Sequence, residues 1–166
     1  MKRLPLTERL LAGDVTRFHT RPVITTETVA VHTYRIMVLA DEVYEGKTPQ
    51  HIMRYLLLHD VAEFHIGDIP YPVKQHLGSK IRKLEHEANL ALGIALPELT
   101  DNEYAIVKSL DMLAFVYYMR LEQTMGNLLN LDRLSVANGA VKKFIMEVTE
   151  YKYADRLNKI RLQILG

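Results

Sequence analysis

Tyr55-Leu-Leu-Leu-His59-Asp60-Val-Ala-Glu63-Phe-His65-Ile-Gly67-Asp68-Ile-Pro70 is the stretch whose reading decides the fold. Three leucines lead into an imidazole and a carboxylate, a second carboxylate follows, and a glycine and a proline close the run. Read as a helix, it places His59 and Glu63 one turn apart on one face, with Asp60 about 100° round the axis, so that all three converge on one cavity. The rest of the chain is read for what it brings to that cavity.

Upstream, the helix is expected to start with Thr48 as cap and Pro49 at the first helical position, where proline leaves no amide unpaired, and to run to about Ile66. Before it, Val29, Ile36, Ala40 and Val43 recur at helical spacing from about Thr28 to Glu45, with Thr26 or a neighbour as cap and Gly46 just past the end. This helix carries His32. Leu6 to Leu11 reads as a short helix ending near Gly13, and the run Asp14 to Thr26 as an ordered loop holding Arg17, Phe18 and Arg21.

Downstream, Gly67-Asp68-Ile69-Pro70-Tyr71-Pro72-Val73-Lys74 predicts a turn and an extended stretch, because residues before proline are pushed out of helical geometry. Ser79 is expected to cap a helix to about Ala95, stopped by Pro97. Thr100 and Glu103 carry the capping-box signature of a helix to about Met125, holding Lys108 and Asp111 and stopping at Gly126. Asn127 to Leu165 is again helical, with Gly139 and Val148-Thr149 as candidate breaks. No strand-like alternation or repeat interrupts the pattern. The fold class is all-α: one domain over residues 1–166, a bundle of about six helices.

A chain of 166 residues with 48% hydrophobic content can bury one good core. Lys+Arg 21 against Asp+Glu 20 argues against non-specific binding to a nucleic-acid polymer as the main task. The absence of cysteine excludes disulfides, a thiolate nucleophile and cysteine-ligated zinc. Met1 to Arg9 lacks the apolar run of a signal peptide, and no span reaches transmembrane length, so a cytoplasmic protein with no membrane partner is expected.

His32, His59, Asp60 and Asp111 fall on three helices in apolar surroundings, where a lone polar group is costly. One divalent ion would satisfy all four, and two imidazoles with two carboxylates suit Mn, Co, Fe or Zn better than Mg or Ca. Positions left open on the ion would admit water and a substrate oxygen, an arrangement suited to hydrolysis. Taken singly, each residue has a plainer reading. His59-Asp60 reads as a hydrogen-bonded structural pair, His32 as a satisfied core histidine, and Asp111 as the partner of Lys108 one turn back. Glu63 reads as a solvated helix residue and Asp68 as a turn former. Only their coincidence points to a metal centre.

His32, then His59-Asp60, then a late helical Asp111 resemble the H…HD…D signature of the HD-domain metal-dependent phosphohydrolases. Arg17-Phe18, Thr26-Glu27, His59-Asp60-x-x-Glu63, Gly67-Asp68-Ile69-Pro70-x-Pro72-Val73-Lys74 and Val107-Lys108-x-x-Asp111 extend the resemblance over roughly Arg17 to Asn127. These segments are similar to the YfbR-type 5′-deoxynucleotidases and equally to the phage DatZ-type deoxynucleoside triphosphohydrolases of the same branch. The Gly-Asp-Ile-Pro-x-Pro-Val-Lys segment is its most specific part.

The resemblance implies that His32, His59, Asp60 and Asp111 hold one divalent transition metal, and that Glu63 orients and deprotonates the attacking water. It implies that Arg17, Lys74 and Lys108 hold phosphate oxygens, Asp68 contacts the sugar or assists the leaving 5′ oxygen, and Phe18 lines the base or sugar pocket. The expected substrate is a deoxynucleotide, first a monophosphate, with the triphosphate as alternative. Arg21, Lys80, Arg82 and Lys83 are candidates for the outer phosphates or a solvated face. A metal-stabilised binding module without turnover and a phosphodiesterase acting on signalling nucleotides are the readings set against these.

Three positions depart from the family. Val31 stands where a glutamate often precedes the first histidine, so a partner for His32 must come from elsewhere. Phe18 replaces a frequent tryptophan, and Leu110 occupies a place usually small. A homo-oligomer, dimer or higher, is expected from relatives of this size, with Tyr117-Tyr118 and Tyr151 to Tyr153 as core or interface.

Overall fold

The computed structural model describes residues 6–166, so Met1 to Pro5 of the N-terminal stretch read above lie outside the described residues. Along the chain run α1 (Leu6–Leu10), α2 (Val29–Tyr44), α3 (Gln50–Leu58), α4 (Glu63–Ile66), α5 (Tyr71–Leu77), α6 (Ser79–Ala91), α7 (Asp101–Thr124), α8 (Leu131–Glu147) and α9 (Tyr151–Leu165). Two 3-10 turns, Leu11–Asp14 and Leu128–Asn130, join them. The fold is all-α, and six of these helices have nine residues or more. Among the described residues no strand forms, and the one isolated bridge pairs Thr16 with Thr28. None of the described helices is long and apolar enough to cross a membrane.

The longest helix, α7, is the axis of the fold. Its capping box is complete: Thr100 Oγ1 accepts from the Glu103 amide, and Glu103 Oε2 accepts from the Thr100 amide at 2.9 Å. Its Ile106, Leu110 and Leu113 are fully buried with Ile36 and Ala40 of α2, Leu56 of α3, Val141 of α8 and Leu157 of α9. Burial of this kind stabilises the fold by about 25 cal/mol per Å² of apolar surface removed from water. Helices α2, α3, α7, α8 and α9 each add an apolar stripe to this common core.

Several boundaries differ from expectation for local reasons. In α2 the cap is Thr28, whose hydroxyl accepts from Val31 N, and the helix ends through Glu45 at φ 53°. Pro49 is the cap of α3 rather than its first residue, and α3 stops at Leu58. His59 and Asp60 therefore sit at a helix end, not in mid-helix. The His59 ring explains the break: its Nδ1 donates to Leu56 O at 2.8 Å, taking the carbonyl that the Asp60 amide would use in a continued α-helix. The chain then tightens into i→i−3 bonds, Val61 N to Leu58 O and Glu63 N to Asp60 O, before α4.

The stretch expected to be extended as far as Lys74 turns helical at Tyr71. Pro70 is the cap, Pro72 sits in the first turn where a missing amide costs nothing, and Lys74 N donates to Pro70 O at 3.1 Å. Ser79 is the first residue of α6 rather than its cap, a place taken by Gly78 at φ 55°. That helix ends at Ala91, short of Ala95, because Gly93 adopts φ 69° and Ile94 N folds back to Asn89 O. Gly139 lies inside α8 without breaking it. The break comes at Val148 to Glu150, where Asn102 Oδ1 accepts from both the Thr149 amide and hydroxyl. Of the tyrosines, Tyr118 is fully buried and Tyr153 packs on Tyr44, whereas Tyr117 and Tyr151 are exposed.

Candidate metal centre

Three elements meet where α2 crosses the end of α3 and the first half of α7. The fully buried His32 comes from α2, His59 and Asp60 from the turn after α3, and Asp111 from α7. One ligand atom from each of His32, His59 and Asp60 lies within 4.8 Å of the others. Asp111 joins through His32, its Oδ1 being 3.0 Å from Nε2. The separate elements thus bring His32, His59 and Asp60 around one point, with Asp111 attached to it through His32. Lys108 also pairs with Asp111, Nζ to Oδ2 at 3.1 Å, so the plain reading of that pair holds beside the metal reading.

The donor set fits a divalent cation. With Nδ1 of His59 committed to Leu56 O, its Nε2 carries a free lone pair, and that buried atom has no hydrogen-bond partner. Burial lowers the His59 pKa and keeps the ring neutral, the form that binds metal. Nδ1 of His32 faces Glu27 Oε2 at 3.8 Å. In the tautomer protonated there, Nε2 turns a lone pair toward the Asp111 carboxylate, two acceptors that a cation reconciles. Burial works to raise the pKa of Asp60 and Asp111, yet neighbouring positive groups outweigh it and hold both ionised.

Three cations ring the cluster, each on a carboxylate. Arg17 bonds to Asp60 Oδ2 and lies 3.4 Å from Glu27 and 3.9 Å from Glu63. Lys108 holds Asp111, while Lys74 Nζ sits between Glu63 Oε1 at 3.6 Å and Glu85 Oε1 at 3.5 Å. Glu63 is 4% exposed, and neither carboxyl oxygen has a hydrogen-bond partner. Burial first, and then the charge of Asp60, push its pKa up to about 8.

Asp68 and Phe18 meet each other rather than the ligand cluster. The Phe18 amide donates to Asp68 Oδ2 at 2.9 Å, which holds Phe18 at φ 57°. The Phe18 ring stacks on Phe115 at 5.2 Å and Tyr118 at 5.0 Å, both one face of α7. Arg21, Lys80, Arg82 and Lys83, the candidates for outer phosphates, are all exposed, and Lys83 pairs with Glu87.

Reading the sequence missed the role of Glu27. It is 1% exposed, pairs with Arg35 and Arg17, and faces Nδ1 of His32 at 3.8 Å, beyond hydrogen-bond distance, as the nearest carboxylate to that nitrogen where Val31 offers none. The sequence singles Glu27 out only within the Thr26-Glu27 segment, with no role attached, because it lies outside helical register with His32. Glu85, on the far side of Lys74, was equally silent within a charged helix.

The HD domain family matches residues 14–161 of this chain. The solved structure of the cyanophage S-2L HD phosphohydrolase DatZ, bound to dA and one catalytic Zn2+ ion, aligns with a TM-score of 0.77. The alignment covers 99% of each chain at 20% sequence identity, a likeness of fold. No curated protein sequence matches this chain.

Proposed function

The chain belongs to the HD domain family of metal-dependent phosphohydrolases, and from that premise we propose that it hydrolyses the bond between the 5′ oxygen and the α-phosphorus of a deoxynucleotide. The observation that carries this reading is a buried Glu63 whose carboxyl oxygens make no hydrogen bond, beside the cluster of His32, His59 and Asp60 with Asp111 attached, ringed by Arg17, Lys74 and Lys108. A structural metal site closes its coordination and needs neither a base nor spare cations. That contrast sets aside the binding module.

His32, His59, Asp60 and Asp111 would hold the ion, one of Co, Mn, Zn or Fe by their donor chemistry. When bound, it supplies Lewis acidity to a phosphoryl oxygen and to water. Glu63 takes the proton of the attacking water, and burial with the nearby Asp60 charge raises its pKa, which makes the ionised carboxylate a stronger base. Arg17 grips two phosphate oxygens with its planar guanidinium, and the two lysines offset the charge that gathers there. Each cation exchanges part of its carboxylate contact for phosphate. Asp68 serves the sugar or the leaving 5′ oxygen from the loop it holds, and Phe18 walls the nucleoside.

The monophosphate is the first reading on the breadth of the family; Lys74 is shared by two carboxylates, and Lys83 among the outer-phosphate candidates is paired with Glu87. The triphosphate is the second, favoured by the likeness to DatZ, whose structure holds dA and Zn2+. Metal-loaded protein incubated with deoxynucleoside mono- and triphosphates decides the matter by product. Inorganic phosphate from monophosphates supports the first reading and intact triphosphate the second. No turnover with any of the four metals returns the chain to the binding module. We also expect a cytoplasmic homo-oligomer, which size-exclusion chromatography with light scattering tests.

A further inference from the structure

The irregular chain between the Leu11–Asp14 turn and α2 carries Arg17, Phe18 and Glu27, so its position decides where these stand. Its base is laced to itself: Arg17 N donates to Glu27 O at 2.9 Å, and Val29 N to Val15 O at 3.0 Å. Its tip, Pro22 to Thr25, is held differently, by side chains at the far end of α7. Glu122, 0% exposed, accepts from Ile24 N at 2.7 Å, Thr25 N at 2.8 Å, Thr25 Oγ1 at 2.7 Å and Asn127 Nδ2 at 2.7 Å. Tyr118 Oη donates to Thr25 O, and Asn127 and Asn130 donate to Pro22 O.

Asp111, Phe115, Tyr118 and Glu122 recur at steps of four, three and four, one stripe of a single helix. The stripe reaches from the metal centre through the rings under Phe18 to the grip on Ile24 and Thr25. At the α-helical rise, Glu122 lies roughly 16 Å along the axis from Asp111, too far to touch the reacting atoms.

We propose that Glu122 is a positioning residue for substrate binding, an acceptor-only grip on the loop tip that fixes Arg17 and Phe18 for the nucleotide, while Glu27 is held at the loop base by Arg35 and the α2 start. The proposal rests on the reading of Arg17 and Phe18 as nucleotide contacts. A carboxylate suits the task because every group that reaches it is a donor, and both oxygens accept two. Glu122→Gln keeps the volume but turns an NH2 toward amide donors, which opposes the grip without opening a cavity.

The test uses metal-loaded Glu122→Gln well below its melting temperature. The KM for deoxynucleotide is expected to rise tenfold or more, while Co2+ affinity, read by titration into the metal-free protein, stays within twofold of the parent. Ile160→Val, a core change in α9 at a residue with no hydrogen bond to the loop, serves as the stability control: it lowers the melting temperature and leaves KM alone. Amide exchange at Arg17 and Phe18, measured without nucleotide, is expected to quicken at least tenfold in Glu122→Gln and not in Ile160→Val. An unchanged KM, or exchange no faster than the parent's, overturns the proposal. Should the parent itself not hydrolyse deoxynucleotides, the functional reading fails, and the exchange rates alone decide whether Glu122 holds the loop.

Discussion

The two faces of α7 solve the same problem of burial in opposite ways. One turns Ile106, Leu110 and Leu113 toward α2, α3, α8 and α9, where contact is non-directional and any well-shaped aliphatic group serves. The other turns Asp111, Phe115, Tyr118 and Glu122 toward the metal centre and its loop, where each polar atom needs a named partner. Among the described residues, most buried side-chain atoms with no partner belong to this second side: Arg17 Nε, Glu27 Oε2, His32 Nδ1, His59 Nε2 and both oxygens of Glu63. Folded proteins rarely leave such atoms unmatched. Their gathering around one point is the observation behind the proposed metal site.

The largest expected effect is loss of that completion. Asp60→Asn removes a ligand and the main partner of Arg17, so the purified variant is expected to hold no metal by atomic spectrometry and to show no turnover. In the parent, metal at a hundred times its Kd adds about 2.7 kcal/mol to stability, or roughly 5–10 °C in Tm, and this gain is expected to vanish in the variant. A variant that keeps its metal breaks the distinction between the two faces.

Glu63→Gln comes next. It is expected to retain metal and to lose about 10²- to 10⁴-fold in kcat, the range for removal of a general base. Its pH dependence sharpens the comparison. A carboxyl whose folded pKa is raised opposes folding once ionised, so the metal-free parent is expected to lose stability as pH rises from the usual glutamate range through about 8. Glu63→Gln, which cannot ionise, is expected to lack that slope in urea unfolding measured across the same range.

On the apolar face, Leu113→Ala is expected to cost about 2–5 kcal/mol in denaturant unfolding, because the side chain is fully buried and its neighbours close only part of the cavity. Metal affinity and KM, measured where the variant is folded, are expected to match the parent. If metal affinity falls with stability, the two faces are coupled through the helix rather than independent.

What could be read beforehand follows the same division. The helices were visible because their apolar period and their caps at Thr100 and near Thr28 are local properties of the chain. The four candidate ligands stood out because polar groups at apolar positions break that period. The break at His59 was hidden, since it depends on a ring competing for the Leu56 carbonyl, which no pattern of hydrophobicity records. Helix α5 was hidden because two prolines signal extension as readily as a helix start. Glu122 and the role of Glu27 were hidden for a further reason: each acts where the loop folds back on a distant element, which no local pattern records.

Glu27 also gives the smallest of the expected effects and the finest test of the polar face. A carboxylate behind a metal-binding imidazole fixes the tautomer and makes the ring a better donor, and losing it typically weakens metal binding about 10- to 100-fold, or about 1.4–2.8 kcal/mol. Glu27→Gln keeps the shape and one acceptor for Arg35, but withdraws the charge that Nδ1 of His32 and Arg17 both face. Co2+ titration of the metal-free variant is expected to show that loss. Glu122→Gln, which leaves Glu27 in place, is expected to show none. Equal Co2+ affinities in parent and Glu27→Gln would mean that Glu27 serves the two arginines alone, and that His32 owes its orientation to packing inside α2, as a residue of the apolar face does.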